Sequence, residues 1–345
     1  MVQLPILQPR RIAPPAPATA SLAVVERTAP RSVRLSLTDR CDLACVYCRP
    51  GRDEAYVERR LDVDAWDALM AGLVRSGVRR VRFTGGEPLL HRDVVEVVRR
   101  VAANPAIEDV ALTTNATRLA KLAAPLRQAG LRRITVSLDS LHADRFARLT
   151  RGGDLARVLA GLDAALAAGF DEIKLNAVVV QGENDDELEA ITQFAWARGI
   201  TPRFLEVMLI GEGAKMEGRV VTGASMRRSL AHLLEDDEAR RDPDRGPAKY
   251  VASRHDPRAR VGFITGTSDT YCAGCDRLRV SAEGTLRPCL ATNDGVSAEE
   301  SARAGDANGV VRAVAEAWRM KPDGTTFKGC TEESASGVSI RAIGG

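Results

Sequence analysis

Six of the seven cysteines in this 345-residue chain fall into two short groups. Cys41, Cys45 and Cys48 lie close together near the start, and Cys272, Cys275 and Cys289 form a second group far along the chain, with Cys330 standing apart. Three thiolates gathered on one loop can hold three irons of a four-iron cube. The fourth iron is then left without a protein ligand, an open position where a substrate or cosubstrate can bind. Half of a zinc site is the alternative, but structural zinc takes four protein ligands, and the histidine nearest to Cys48 in sequence is the distant His91. The second group again supplies three thiolates rather than four. Cys330 could close a zinc site there, although a second cube with its own open iron is the sharper reading. So few cysteines, so tightly grouped, speak for metal or cluster ligands and against a disulfide framework.

Two further patterns accompany the cysteines. Thr84-Gly85-Gly86-Glu87-Pro88 follows a β-branched run, and paired glycines after a strand let main chain approach a ligand closely while Glu87 offers an acceptor near a ligand's ammonium. Within the second cysteine group the chain reads Asp276-Arg277-Leu278-Arg279-Val280. If that stretch is extended, Arg277 and Arg279 share one face. Two guanidiniums beside an electrophilic iron would suit a polyanion, most naturally a phosphate chain.

These residues need a frame. Strands are expected at Val33–Leu37, Arg80–Thr84, Asp109–Thr113, Arg133–Ser137, Glu172–Val180 and Pro202–Val207, and helices at about 62–75, 92–103, 116–129, 153–168, 185–198 and 222–235. Leu155, Val158, Leu159, Leu162, Ala165 and Leu166 follow helical spacing with one buried face. Six successive strand–helix units demand a mostly parallel sheet with right-handed crossovers, either an open doubly wound sheet or an incomplete barrel. In both, ligands bind at the rim where strands end, and Cys41, Gly85, Asn115, Asp139 and Met208 each follow a strand. The alternation breaks near residue 240. The expected organisation is a Pro/Ala-rich disordered leader over 1–30, an α/β barrel-like body over 31–240, a smaller domain over 241–330 containing a hairpin across Arg277–Leu290 and helices near 297–304 and 307–320, and a tail over 331–345.

Composition narrows the class. Hydrophobic residues make up 45% and charged residues 28%, ordinary values for a chain that folds around a large core. A formal charge of +3 is too balanced to suggest nucleic acid or an anionic membrane as the partner. No apolar stretch approaches a membrane span, and Pro-interrupted residues 12–17 lack the apolar region of an export signal, so a cytoplasmic location is expected. Only six cations are Lys, which makes any single Arg weak evidence and Lys174, on an expected strand, more informative.

The first cysteine spacing, with Tyr47 before Cys48, together with the Gly-Gly-Glu-Pro element, resembles the radical S-adenosylmethionine superfamily. That resemblance implies an incomplete (β/α)6 barrel of the TIM type, with a smaller C-terminal auxiliary-cluster domain. It also implies an iron–sulfur cluster that cleaves S-adenosylmethionine to a 5′-deoxyadenosyl radical. Ordered matches from about Arg34 to Gly345, carried by Leu35-Ser36-Leu37-Thr38-Asp39-Arg40-Cys41, Thr113-Thr114-Asn115, Ser137-Leu138-Asp139-Ser140-Leu141, Lys174-Leu175-Asn176, Gly246-Pro247-Ala248, Cys272 to Cys289 and Gly344-Gly345, make the chain similar to the GTP 3′,8-cyclase family of molybdenum cofactor biosynthesis.

What that likeness implies is a lyase that abstracts the 3′ hydrogen of GTP and yields (8S)-3′,8-cyclo-7,8-dihydroguanosine 5′-triphosphate, using two [4Fe-4S] clusters. Cys41, Cys45 and Cys48 would hold one cluster, and Cys272, Cys275 and Cys289 the other. Tyr47, Gly86, Ser137 and Met208 would contact S-adenosylmethionine, while Arg34, Arg82, Thr113, Lys174, Arg277 and Arg279 would line the GTP channel. The tail with Gly344 and Gly345 would reach the active site, where Arg341 would add a charge near substrate. An electron donor and the downstream cyclic pyranopterin monophosphate synthase are the implied partners, with the chain a monomer or homodimer. Five positions depart from the usual pattern: Asp42, Ala116, Val207, Leu209 and Asp276, the last placing a carboxylate beside the expected phosphate site. A radical S-adenosylmethionine enzyme that modifies a peptide, and a zinc-binding or electron-transfer module, are the competing readings.

Overall fold

The computed structural model describes residues 29–53, 55–241, 246–272, 274–322 and 340–343. The leader up to residue 28, Cys330, most of the tail including Gly344 and Gly345, and most of the Asp242–Gly246 linker lie outside them. Six strands, β1 (Ser32–Ser36), β2 (Arg80–Thr84), β3 (Asp109–Thr114), β4 (Arg133–Ser137), β5 (Glu172–Val179) and β6 (Thr201–Glu206), run parallel in sequence order. The helices α1 (Val63–Arg75), α2 (Val94–Ala102), α3 (Leu119–Gln128), α4 (Ala143–Leu149), α5 (Leu155–Ala168), α6 (Leu188–Trp196) and α7 (Gly223–Ser229) follow or separate them. The caps are those the sequence offers. Asp62 accepts the Ala65 N–H at the start of α1, Asp154 accepts the Ala156 N–H at the start of α5, and Gly169 closes α5 in the left-handed conformation. One extra helix, α4, is too short for periodicity to reveal.

Strands read as a later unit do not form a sheet of their own. Among the described residues the sheet has 12 strands and stays open, with the late strands added at both edges. Next to β1 lies β10 (Arg277–Val280), paired in parallel, which continues through the expected hairpin into β11 (Thr285–Arg287) and then β12 (Val296–Ser297). Next to β6 lies β9 (Arg260–Ile264), also parallel, followed by β8 (Lys249–Ala252) and β7 (Arg240–Arg241). The first and last parallel strands thus gain hydrogen-bonding partners, which satisfies edges that would otherwise be exposed. The helices α8 (Glu299–Arg303) and α9 (Ala307–Arg319) pack back onto α1, where Gly72 presses so closely on Val310 that a Cβ would overlap it.

Candidate active site

The loop leaving β1 carries the first cysteine group. It is stitched to the segment after α4 by Ala44 N–H to Thr150 O (3.1 Å) and Val46 N–H to Leu149 O (2.9 Å), and turned by Cys48 N–H to Cys45 O (2.9 Å). Burial, then Glu87, pushes the Cys41 thiol up to about 12; burial, then Asp139, pushes Cys45 up as well, and Cys48 adds to both shifts. Thiols in such surroundings ionise only opposite a strong positive charge, as a cluster of ferric and ferrous ions provides. Among the described residues no three His, Cys, Asp or Glu side chains converge on a single-ion centre. Cys41, Cys45 and Cys48 line one cavity, and three thiolates suit a cluster with one open iron, whereas a structural zinc takes four protein ligands.

The Gly-Gly pair serves the loop as much as any ligand. Gly86 N–H donates to Thr38 O and Glu87 N–H to Arg40 O, both at 2.7 Å. A Cβ on Gly86 would stand 2.3 Å from Arg40 O, and one on Gly85 2.4 Å from Thr38 O, so only glycine lets the β2 rim lie against the strand-to-cysteine segment. Glu87 also has a bracing role that the sequence does not announce. Its Oε1 accepts the Leu89 N–H (3.0 Å) and Thr114 hydroxyl (2.7 Å), and its Oε2 the Asn115 N–H (2.7 Å). The carboxylate ties its own β2 rim to the β3 rim while also lining the cavity of the cysteines. Asp42 is explained in the same way: it accepts from Asn115 Nδ2 (2.8 Å) and the Thr117 hydroxyl (2.6 Å), joining the cysteine loop to the β3 rim. Ala116 has φ 61°, the left-handed region where glycine is usual and alanine is strained.

Tyr47, Gly86, Ser137 and Met208 all line the cavity of Cys41, Cys45 and Cys48. Asp139, which the sequence places at the rim without a role, is buried in this wall, accepts the Tyr47 hydroxyl at 2.6 Å and the Val178 N–H at 2.9 Å, and fixes the tyrosine ring beside the cysteines. Thr113, Asn176, Leu205 and Met208 border both this cavity and a second, cationic one.

The second cavity is built by register. Arg279 of β10, Arg34 of β1 and Arg82 of β2 stand side by side across three adjacent parallel strands. Arg203 of β6 completes the belt: it donates to Asn176 Oδ1 (2.8 Å) and shares the Thr135 hydroxyl with Arg82, which also reaches Thr113. Burial and neighbouring guanidiniums pull Arg34 down and bring Arg82 and Arg279 to about 10; burial lowers Arg203 as well. Guanidiniums held so far from their ordinary range mark a cavity that stores repulsion and relaxes when an anion enters. Arg203 was not identified from sequence. Its only signal is a charged residue between apolar Pro202 and Phe204 at a buried strand position.

Arg277 lines the same cavity but is drawn toward the cysteines: its guanidinium lies over the Tyr271 ring at 5.0 Å. Although burial opposes it, the charges of Arg277 and Lys321 bring the Cys275 thiol down to about 6. Cys272, Cys275 and Cys289 share a pocket with Arg279 and Lys321. The Lys321 ammonium reaches it by donating to Arg277 O and Pro288 O, each at 2.7 Å. Lys174 is buried and paired with Glu172 at 2.9 Å, and it does not line the cationic cavity. Among the described tail residues, Arg341 borders the first cavity and not the cationic one.

Asp276, the departure beside the expected phosphate site, is held by Arg80 at 2.5 Å. Its carboxylate therefore has a partner already, and the Asp276→Asn variant is expected to keep the KM for GTP within about threefold, since partly exposed ion pairs contribute little. A tenfold change in steady-state KM would instead place this carboxylate against the nucleotide.

An open parallel α/β sheet whose first loop carries such a cysteine group is the radical S-adenosylmethionine class of fold, and residues 35–195 match the radical SAM superfamily. Residues 200–327 match the Molybdenum Cofactor Synthesis C family. The chain belongs to the GTP 3′,8-cyclase family: it is 40% identical over 299 residues to the GTP 3′,8-cyclase of Pseudomonas putida strain W619, covering 84% of this chain and 88% of that one. The GTP 3′,8-cyclase of Pelotomaculum thermopropionicum is 39% identical over 84% of this chain and 91% of its own. In fold alone the chain is similar to Streptococcus suis SuiB bound to S-adenosylmethionine, with TM-score 0.60 and 15% identity over 89% of this chain and 72% of SuiB.

Proposed function

We propose that this protein converts GTP to (8S)-3′,8-cyclo-7,8-dihydroguanosine 5′-triphosphate, the first step of molybdenum cofactor biosynthesis. The observation that carries the reading is the belt of Arg279, Arg34, Arg82 and Arg203 in a cavity continuous with the first cysteine group. When bound, the two iron–sulfur clusters with S-adenosylmethionine supply the one-electron chemistry, a 5′-deoxyadenosyl radical that removes the ribose 3′ hydrogen. The residues do the rest. Cys41, Cys45 and Cys48 hold one cluster and Cys272, Cys275 and Cys289 the other. Tyr47, steadied by Asp139, and Gly86, Ser137 and Met208 form the S-adenosylmethionine wall. The four belt arginines, with Arg277 and Thr113, grip the triphosphate and orient the ribose toward the first cavity. Substrate and product are isomers, so the hydrogen taken from C3′ is balanced by one electron and one proton returned to the guanine ring after the C3′–C8 bond forms.

That electron, and the separate one that cleaves S-adenosylmethionine, require an external one-electron donor, and the product passes to cyclic pyranopterin monophosphate synthase. No helix among the described residues is long and apolar enough to cross a membrane. A peptide substrate would leave the belt's repulsion unrelieved, which disfavours the peptide-modifying alternative. Anaerobic reconstitution with iron, sulfide, S-adenosylmethionine and GTP, followed by mass and NMR analysis of the nucleotide, tests the reading. Cleavage of S-adenosylmethionine with GTP recovered unchanged would reject it.

Lys174 adds a pH dependence. Burial, then Arg203, brings its ammonium down to about 7 despite Glu172. A bound polyphosphate favours the protonated form, so its pKa rises in the complex and binding takes up a proton above pH 7. Affinity for GTP is therefore full below pH 7 and falls as pH rises through it, by up to about tenfold per unit. Calorimetric titration at pH 6.5, 7.5 and 8.5 in buffers of different ionisation enthalpy is expected to show this uptake. Lys174→Met removes it; equal proton uptake in both proteins would exclude Lys174 as the source.

A further inference from the structure

The short helix Ile340–Ile343 lies between the two cysteine groups. Ile340 is buried in a small apolar cluster with Ile210, Leu290 and Ala291, and that cluster is bordered by Cys48 of the first group and Cys289 of the second. Both Ile340 and Arg341 form part of the wall of the first cavity. The sequence expectation for Arg341 was an additional charge near substrate, but its guanidinium turns elsewhere and is only 3% exposed.

Four contacts define where it goes. Nη1 donates to the main-chain oxygen of Asp39 and stands 3.6 Å from that residue's carboxylate. Nη2 donates to Ala55 O at 3.2 Å, and the guanidinium carbon sits 4.8 Å from the centre of the Tyr56 ring. Asp39 lies two residues before Cys41, and its carboxylate also takes the Val57 N–H (2.7 Å) and the Arg60 guanidinium (2.9 Å). Arg341 therefore grips one node that also organises the approach to the first cysteine and the segment around Val57.

A single helical turn has no stability of its own, and a buried guanidinium is costly unless matched. Such a turn stays in place only through what it docks on, and here that is the segment leading into Cys41. We propose that Arg341 is a positioning residue, a latch that holds Ile340 as an apolar plug between the two cysteine groups and couples closure of the chamber to the order of the Cys41–Cys48 loop. This rests on the reading of both groups as cluster ligands. The planar fork matters as well as the charge, since one guanidinium serves two carbonyls, a carboxylate and a ring at once.

The test compares wild type, Arg341→Ala, Arg341→Lys and Ile340→Ala as full chains. In metal-free protein, the rates at which Cys48 and Cys289 react with iodoacetamide are read by peptide mass spectrometry. In reconstituted protein, bleaching of the cluster absorbance by dissolved oxygen is followed, and the ratio of 5′-deoxyadenosine to cyclised nucleotide is measured. Arg341→Ala and Ile340→Ala are expected to raise both thiol reactivity and bleaching about tenfold, as loss of a local closing contact allows more frequent opening. The product ratio should shift toward uncoupled 5′-deoxyadenosine. Arg341→Lys, which keeps the charge and loses the fork, should fall between. Wild-type rates of alkylation and bleaching in both Arg341→Ala and Ile340→Ala would overturn the latch. The first two readouts need no GTP, so a failure of the proposed reaction would not be mistaken for a failure of the latch. Should one variant not fold, the other carries the same comparison.

Discussion

Cys41→Ser is expected to lower S-adenosylmethionine cleavage by ~1,000-fold or more, to the level of protein lacking the cluster. Serine offers a hard, rarely ionised oxygen where iron in a sulfide cube takes a soft thiolate. The neighbourhood makes substitution worse. The Leu43 N–H points at the Cys41 sulfur at 3.4 Å, and the loop around it is pinned by Asp42, Asn115 and Thr117, so it cannot move to bring in another donor. The same variant should lose about half of its iron and labile sulfide, because the second cysteine group lies on loops flanking β10 and β11, apart from the first loop, and remains intact. Iron and sulfide analysis under nitrogen, beside a 5′-deoxyadenosine assay, reads both. Full cleavage activity in Cys41→Ser would reject the assignment of the first cluster.

Arg279→Ala is expected to move activity and stability in opposite directions. Loss of one charge-assisted contact to a triphosphate costs about 1.5–3 kcal/mol of transition-state binding, which is roughly 10- to 150-fold in kcat/KM. In the free protein, however, Arg279 stands beside Arg34 across the β1–β10 pair; burial, then Arg279, pushes the Arg34 guanidinium down, and burial, then Arg277, pushes Arg279 down. Removing one relieves that repulsion. The metal-free melting temperature should therefore rise by about 2 °C even as GTP use collapses, the trade expected where a site stores unfavourable charge for a ligand. S-adenosylmethionine cleavage without GTP should stay near wild type. A melting temperature that falls together with unchanged GTP kinetics would mean that Arg279 is an ordinary strand residue paired for stability.

Much of this site can be read along the chain because it is local. The cysteine spacing, the Gly-Gly pair and the strand ends are each contained within a few residues, and the parallel arrangement of β1 to β6 follows from alternating periodicity. Other parts are legible only as residue types. Glu87 could be recognised as an acceptor, but whether its oxygens face a ligand or three rim donors depends on how β3 and the β2 rim meet. Arg341 could be recognised as a cation near the tail, but its choice of Asp39 over the phosphate belt depends on docking between segments far apart in sequence. Arg203 and Lys321 carry no motif at all, and they matter because of what stands opposite them.

By itself the sequence determined the chemistry of the first cluster loop, the parallel α/β body and the family, since spacing and periodicity are short-range properties that survive without coordinates. Tertiary structure alone decided that the late strands join the two edges of one sheet, and so set Arg279, Arg34 and Arg82 abreast. The reason is that an exposed strand edge offers the same row of N–H and C=O groups to any partner. Which partner takes it, and in what register, is settled by non-local packing and charge rather than by local preference, and the cationic cavity exists only once that choice has been made.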